Sequence, residues 1–228
     1  MARIIIFDVN ETLLDLKALD PHFERVFGSA GVRKEWFKQV LQSALLTTIL
    51  DAYADFGAVG SAALEMTAAI HGVRLAEEDR KAILGAMREL PSHPEVPGSL
   101  RRLRDAGLRL GALTNSTLAV AEAQLRHADL DRYFERILSA DMVRRLKPQA
   151  DVYRLAARAF AVDPAAIRLV AAHSWDVAGA LRAGCAGAFV ARPGMTLDPL
   201  FEAPDIVGPD LTAVAERILA IEAPRSGR

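Results

Sequence analysis

The run Arg3-Ile4-Ile5-Ile6-Phe7-Asp8-Val9-Asn10-Glu11-Thr12-Leu13 is almost continuously apolar until it breaks off at a carboxylate and a polar turn. A short stretch that is apolar on both faces suits a central parallel strand covered by helices above and below. Asp8 then stands at the carboxyl edge of the sheet, where open α/β sheets bind ligands. Asp also caps turns after strands, and this run alone does not separate a structural carboxylate from a catalytic one.

Three later segments repeat the pattern. A strand predicted over 108–113 ends in Thr114-Asn115-Ser116, Leu146-Lys147-Pro148 follows a short strand at 136–139, and a strand over 168–172 leads into His173-Ser174-Trp175-Asp176. Further strands are predicted at 186–191 and from Asp205 to Val207, with helices at 98–106, 118–127, 149–160 and 177–183 between them. Such alternation implies a mostly parallel sheet with right-handed crossovers, so the four polar strand ends converge on one edge. Between Asp15 and Pro97 the pattern is helical instead. Asp20-Pro21 opens one helix, apolar spacing predicts another over 34–56, and two more are expected at 59–71 and 76–88. The prolines at 91, 94 and 97 punctuate its end, and with the segment 14–17 they are the natural hinges of an inserted lid.

With these segments in order, the sequence resembles the haloacid dehalogenase superfamily, and within it the 2-haloacid dehalogenases of type II. The first motif is similar to Phe7-Asp8-Val9-Asn10-Glu11-Thr12-Leu13, the second to Leu113-Thr114-Asn115, the third to Lys147-Pro148, and the fourth to His173-Ser174-Trp175-Asp176-Val177-Ala178-Gly179-Ala180. The resemblance covers nearly the whole chain. It implies an α/β fold: a Rossmann-like, doubly wound core over 1–15 and 97–221, an all-helical cap over 16–96, and a flexible tail over 222–228.

It also implies an attack by Asp8 that forms an ester of its side chain. Superfamily phosphatases carry an acid two residues after the nucleophile to protonate the leaving alkoxide, and here that position is Asn10. Losing a general acid costs about 10²- to 10⁴-fold, whereas a halide leaves without a proton. Magnesium-binding members add an acidic residue where Ala172 stands, which favours a site with no metal and no cofactor. Lys147 is then the cation that orients Asp8; its other reading is a surface lysine, against which the rigid Lys147-Pro148 junction after a strand argues. Thr114 and Asn115, with backbone N–H groups of the next helix, would receive a substrate carboxylate, although either of Asn115 and Ser116 could simply cap that helix. Asp176 would hold the hydrolytic water, or merely favour a helix start. His173 is either a substrate contact or a hydrogen-bonded structural residue, and Trp175 is packing or pocket wall. Type II relatives carry a Trp-Arg pair on the first long cap helix, the Arg receiving the halide; here the segment reads Trp36-Phe37-Lys38. Phe offers only a weak positive ring edge, and Asn10 is a candidate N–H donor in its place.

The expectation is therefore a cytoplasmic hydrolase that releases halide from short 2-haloalkanoic acids and leaves the 2-hydroxy acid. The alternatives are a Mg²⁺-dependent small-molecule phosphatase of the same superfamily, with Glu11 or a cap carboxylate as acid, and an impaired member that only binds ligands. The charge balance leaves a small substrate, anionic by the resemblance, as the expected partner: 28 basic and 29 acidic residues leave a net of -1, which points to neither nucleic acid nor an anionic membrane. The single cysteine, Cys185, lies in an apolar setting and reads as a packed residue. No targeting segment or bilayer-length apolar run is visible. A homodimer is compatible with the resemblance and with apolar positions on a long cap helix.

Overall fold

The computed structural model describes residues 2–223. The first strand, β1 (Ile4–Phe7), is buried on both faces, as its unbroken apolar sequence requires. Four helices follow before the sheet resumes: α1 (Asp20–Phe27), α2 (Val32–Ile49), α3 (Phe56–Ile70) and α4 (Glu77–Ala86). After these come α5 (Val96–Asp105), β2 (Leu110–Thr114), α6 (Leu118–His127), β3 (Arg136–Ser139) and α7 (Ala150–Ala159). The chain closes with β4 (Ile167–Ala171), α8 (Ser174–Arg182), β5 (Ala186–Val190), β6 (Ile206–Gly208) and α9 (Leu211–Glu222).

The six strands form one sheet in the order β3-β2-β1-β4-β5-β6, and every pairing is parallel. β1 lies between β2 and β4, so the order reverses beside it. In sheets of this winding the connections on the two sides of such a point diverge and leave a crevice beyond the strand ends. Among the described residues no helix is long and apolar enough to cross a membrane.

The helix expected over 34–56 ends at Ile49 instead. Asp51 turns the backbone left-handed at φ 53°, and Asp55 starts a separate helix by accepting hydrogen bonds from the N–H groups of Gly57 and Ala58. The helix expected over 177–183 begins earlier, at Ser174, which puts Trp175 and Asp176 in its first turn. Lys147-Pro148 does not follow β3 directly: a 3-10 turn, Ala140–Val143, intervenes. The expected tail over 222–228 starts too early, because Glu222 belongs to α9 and is buried against Arg3 and Arg168. Residues 224–228 of that tail lie outside the described residues.

The two chain segments that join α1–α4 to the sheet run side by side. Asp15 N donates to Pro91 O at 2.8 Å, His93 N donates to Leu13 O at 3.0 Å, and Leu14 bridges Ser92 in antiparallel fashion. The segments around 14 and 91–93 are thus tied to each other.

Candidate active site

Four strands deliver the site. Asp8 follows β1 directly, Thr114 ends β2, His173 lies two residues beyond β4, and Lys147 arrives from β3 through the 3-10 turn. The Lys147 ammonium is 3.1 Å from Asp8 Oδ1 and 2.8 Å from Asp176 Oδ2, with all three side chains nearly or fully buried. On the far side of Asp176, Tyr153 on α7 donates its hydroxyl to Oδ1 at 2.7 Å. Thr12 donates to the second oxygen of Asp8 at 2.7 Å and accepts from the N–H of Ala172 at 2.9 Å, which ties the turn after β1 to the end of β4. Gly179 on α8 makes the approach of Tyr153 possible, since a Cβ there would come within 2.5 Å of the Tyr153 hydroxyl and 2.6 Å of Pro148 Cβ.

Burial by itself penalises each charge, so the state of each group depends on its partners. For Asp8 burial opposes ionisation, but Lys147 first, then His173 and Thr12, outweigh it and hold the carboxyl well below the usual range. Burial raises Asp176; the attraction of Lys147 opposes this and the repulsion of Asp8 adds to it, leaving its proton affinity above normal. Lys147 loses by burial and gains more from Asp176 and Asp8, so it stays charged. Asp8 is therefore an anion with both oxygens oriented.

His173 completes the ring of groups around Asp8. Its Nε2 lies 2.9 Å from Glu11 Oε2, and its Nδ1 faces Asp8 Oδ2 at 3.5 Å, a charge contact too long for a good hydrogen bond. Burial disfavours the charged imidazole, yet the carboxylates of Asp8 and Glu11 prevail and push it up to about 9. Phe37 packs 6.3 Å from the imidazole, centroid to centroid, and Trp175 packs 5.2 Å from it. His173 Nδ1 and Trp175 Nε1 are both buried without a hydrogen-bond partner among the described residues. Buried ring nitrogens without a partner are costly unless a ligand takes them.

Other residues expected at the site are placed differently. Trp36 is buried in the helical segment, its ring tilted 37° against Phe23, and its indole N–H is committed to the Gly60 carbonyl at 3.0 Å. Lys38 is exposed. Asn10 is tied into the sheet: its Nδ2 donates to Ser116 Oγ at 3.3 Å and its Oδ1 accepts from Gln124 at 3.0 Å. Thr114 Oγ1 accepts from Ser116 N, and Asn115 Oδ1 accepts from Lys147 N at 2.9 Å. Neither Asn115 nor Ser116 caps α6; Thr117 holds that position and makes no side-chain cap bond. The first N–H groups of α6 are thus left for another acceptor.

The donor set does not suit Mg²⁺, which requires several oxygen ligands. Around Asp8 stand an ammonium, an imidazole and one hydroxyl, while both oxygens of Asp176 already accept hydrogen bonds. Among the described residues no cluster of three or more His, Cys, Asp or Glu residues could hold a metal.

Sequence reasoning missed Tyr153, Thr12, Gln124 and the pairing of Glu11 with His173. Tyr153 carried a signal, a phenol on the otherwise apolar buried face formed with Val152, Ala156 and Ala157. The other three meet Ala172, Asn10 and His173 from 114 to 162 residues away in sequence, while nearer bonds join Thr12 to Asp8 and Gln124 to the Met87 carbonyl.

Comparison with known proteins bears on this geometry. A model of the haloacid dehalogenase-like hydrolases matches residues 2–184. The chain is 31% identical to the (S)-2-haloacid dehalogenase of Pseudomonas sp. (strain YL), over 93% of this chain and 92% of that one. It is 28% identical to haloacetate dehalogenase H-2 of Moraxella sp. (strain B), over 94% and 96%. Its fold matches the L-2-haloacid dehalogenase of Xanthobacter autotrophicus, solved with chloropropionic acid covalently bound, with a TM-score of 0.90, 26% identity, and coverage of 97% and 100%.

The charge on His173 makes stability depend on pH in one direction. Its folded value, about 9, exceeds the ordinary imidazole value of 6.5, so its ion pairs contribute fully below 6.5 and are lost as pH rises through 9. Urea unfolding of wild type and His173→Asn is expected to show wild type losing on the order of 3 kcal/mol relative to the variant between pH 6 and 10. A difference that does not change with pH would contradict the charged imidazole.

Proposed function

The chain belongs to the haloacid dehalogenase-like hydrolases, and we propose that it acts as a metal-free dehalogenase of short 2-haloalkanoic acids through an ester on Asp8. The observation that carries this reading is the buried carboxylate of Asp8, kept ionised by Lys147 at 3.1 Å, with the amide of Asn10 where an alkoxide leaving group would need an acid. Attack by an Asp8 oxygen on the α-carbon forms the C–O bond as the C–X bond breaks, and the electron pair leaves with the halide. Such in-line displacement inverts the carbon. Water then adds to the ester carbonyl carbon, the alkoxide of the hydroxy acid departs with a proton, and Asp8 is regenerated carrying one solvent oxygen.

Each side chain has an assignment in this scheme. Thr114, Asn115 and the unmatched N–H groups at the start of α6 receive the substrate carboxylate. Lys147 orients Asp8, and Asp176 fixes Lys147. Asp176 also suits the water's proton, since burial raises its affinity for one. His173 Nδ1 and Trp175 Nε1, both without partners, donate to the departing halide in place of an Arg, while Phe37 closes the pocket beside them. Asn10, tethered to Ser116 and Gln124, keeps the second and first motifs in register rather than carrying the halide alone. Trp36 supports the wall from behind Phe37, their ring centroids 6.0 Å apart.

Residues 16–96 are assigned as a cap over Asp8, which is almost closed off at 6% exposure. The paired segments near 14 and 91–93 form its hinge. The large exposed apolar side chains of Leu46, Ile49, Leu50, Met66 and Ile70, on or next to α2 and α3, are assigned to a homodimer contact. Sedimentation velocity should then report twice the chain mass, and a monomer at micromolar concentration would remove this contact.

Purified protein incubated with chloro-, bromo- and fluoroacetate and with 2-chloropropionate of each hand is expected to release halide without added metal. Asp8→Asn is expected to lower the rate by at least about 10³-fold, as loss of a nucleophile does. Absence of halide, together with Mg²⁺-dependent turnover of an aryl phosphate, would replace this reading with the phosphatase.

A further inference from the structure

Glu11 adopts φ 61°, the left-handed region, at the turn directly after the nucleophile strand. A side chain with a Cβ is strained there, and glycine occupies such a position without cost. Strain of this kind persists where the side chain does something a glycine cannot. Here the carboxylate of Glu11 reaches His173 Nε2 at 2.9 Å across 162 residues of sequence, and its backbone carbonyl lies 3.3 Å from His93 Nε2. Only 19% of the Glu11 side chain is exposed, so the contact is partly shielded from water.

The geometry of His173 gives this contact a consequence. The ring is held between Phe37 and Trp175, its Nε2 edge against Glu11 and its Nδ1 edge toward Asp8 with no hydrogen-bond partner. An imidazole whose outer nitrogen donates to a carboxylate has its orientation fixed, and when protonated it must present an N–H at the inner nitrogen. Without that carboxylate the ring loses the anchor of its Nε2 edge and a negative charge that keeps both nitrogens protonated, and a neutral imidazole free to turn carries a lone pair that it can present to the site. A lone pair there would repel both an anionic substrate and a departing halide.

We infer that Glu11 is a positioning residue for dehalogenation: it holds His173 so that Nδ1–H points at the space beside Asp8 and receives the halide as the carbon–halogen bond breaks. This rests on the dehalogenase reading above. The charged groups that face His173 are Asp8 and Glu11 directly, with Lys147 and Asp176 beyond Asp8; Phe37 and Trp175, which flank the ring, are uncharged. Near Glu11 stand His93, at its carbonyl, and Arg192, which binds the Thr12 carbonyl and pairs with Glu95. Fluoride, the strongest hydrogen-bond acceptor and poorest leaving group of the halides, depends most on such a donor.

The test compares wild type, Glu11→Gly and Glu11→Gln by nitrogen-15 NMR titration of the imidazoles, with His173→Asn used to assign the signal, alongside kcat against pH for chloro- and fluoroacetate. Glu11→Gly relieves the backbone strain, which offsets part of the loss of the ion pair with His173, and the fold of each variant is checked by circular dichroism. In Glu11→Gly the His173 midpoint should fall by at least one pH unit, and the alkaline limb of kcat should fall with it. At pH 9 kcat should drop at least about fivefold for chloroacetate and further for fluoroacetate, with KM changed less than about threefold; Glu11→Gln should lie between. An unchanged His173 midpoint or alkaline limb in folded Glu11→Gly would overturn the inference. The titration needs no turnover, so a wild type that releases no halide would sink the dehalogenase reading and with it the leaving-group role, while the midpoint separately decides whether Glu11 controls the imidazole.

Discussion

One buried ammonium organises this site. Lys147 is almost completely enclosed and touches two carboxylates, Asp8 at 3.1 Å and Asp176 at 2.8 Å. An unpaired ion in such a place costs several kcal/mol, so each of the three groups is tolerable only because the others are there. The arrangement keeps Asp8 ionised despite its burial. A desolvated carboxylate without hydration to shed is a better nucleophile than the same group in water, and here the Thr12 hydroxyl and Lys147 hold one oxygen each.

Charge balance also says what must be recruited for an anionic substrate. Asp8, Asp176 and Glu11 face Lys147 and a protonated His173, three carboxylates against two cations. No side-chain cation remains in this cluster for an incoming carboxylate, so the task falls to N–H groups. In the proposed reaction the uncapped start of α6, reached from Thr114 at the end of β2, would supply them. The sheet order makes this possible, because β1 sits where the winding reverses and the turns after β1, β2 and β4 meet around Asp8.

Much of this was legible in the sequence, for an identifiable reason. Asp8, Thr114 and His173 are at or next to the ends of apolar strands, and a local break from apolar to polar is visible in one dimension. Lys147 was legible through the proline that follows it. The end of α2 was not, because apolar residues continue beyond Ile49 at helical spacing while Asp51 and Asp55 turn and restart the chain; Asp55 as a cap was the available signal. The contacts of Glu11 with His173, Thr12 with Ala172 and Asn10 with Gln124 join residues 114 to 162 apart, and no local pattern encodes such pairs. Phe37 shows both sides of this: its sequence position removes an expected guanidinium, yet only the packing beside His173 and Trp175 suggests which groups take over.

The central claim is that Asp8 itself becomes esterified and that water attacks its carbonyl carbon. A single turnover in H₂¹⁸O with enzyme in excess over a 2-haloacid, followed by mass spectrometry of the peptide holding Asp8, tests it directly. The account predicts one ¹⁸O in the Asp8 carboxylate and none in the hydroxy acid. Label in the hydroxy acid with an unlabelled Asp8 would mean that water attacks the substrate carbon directly, and would contradict it.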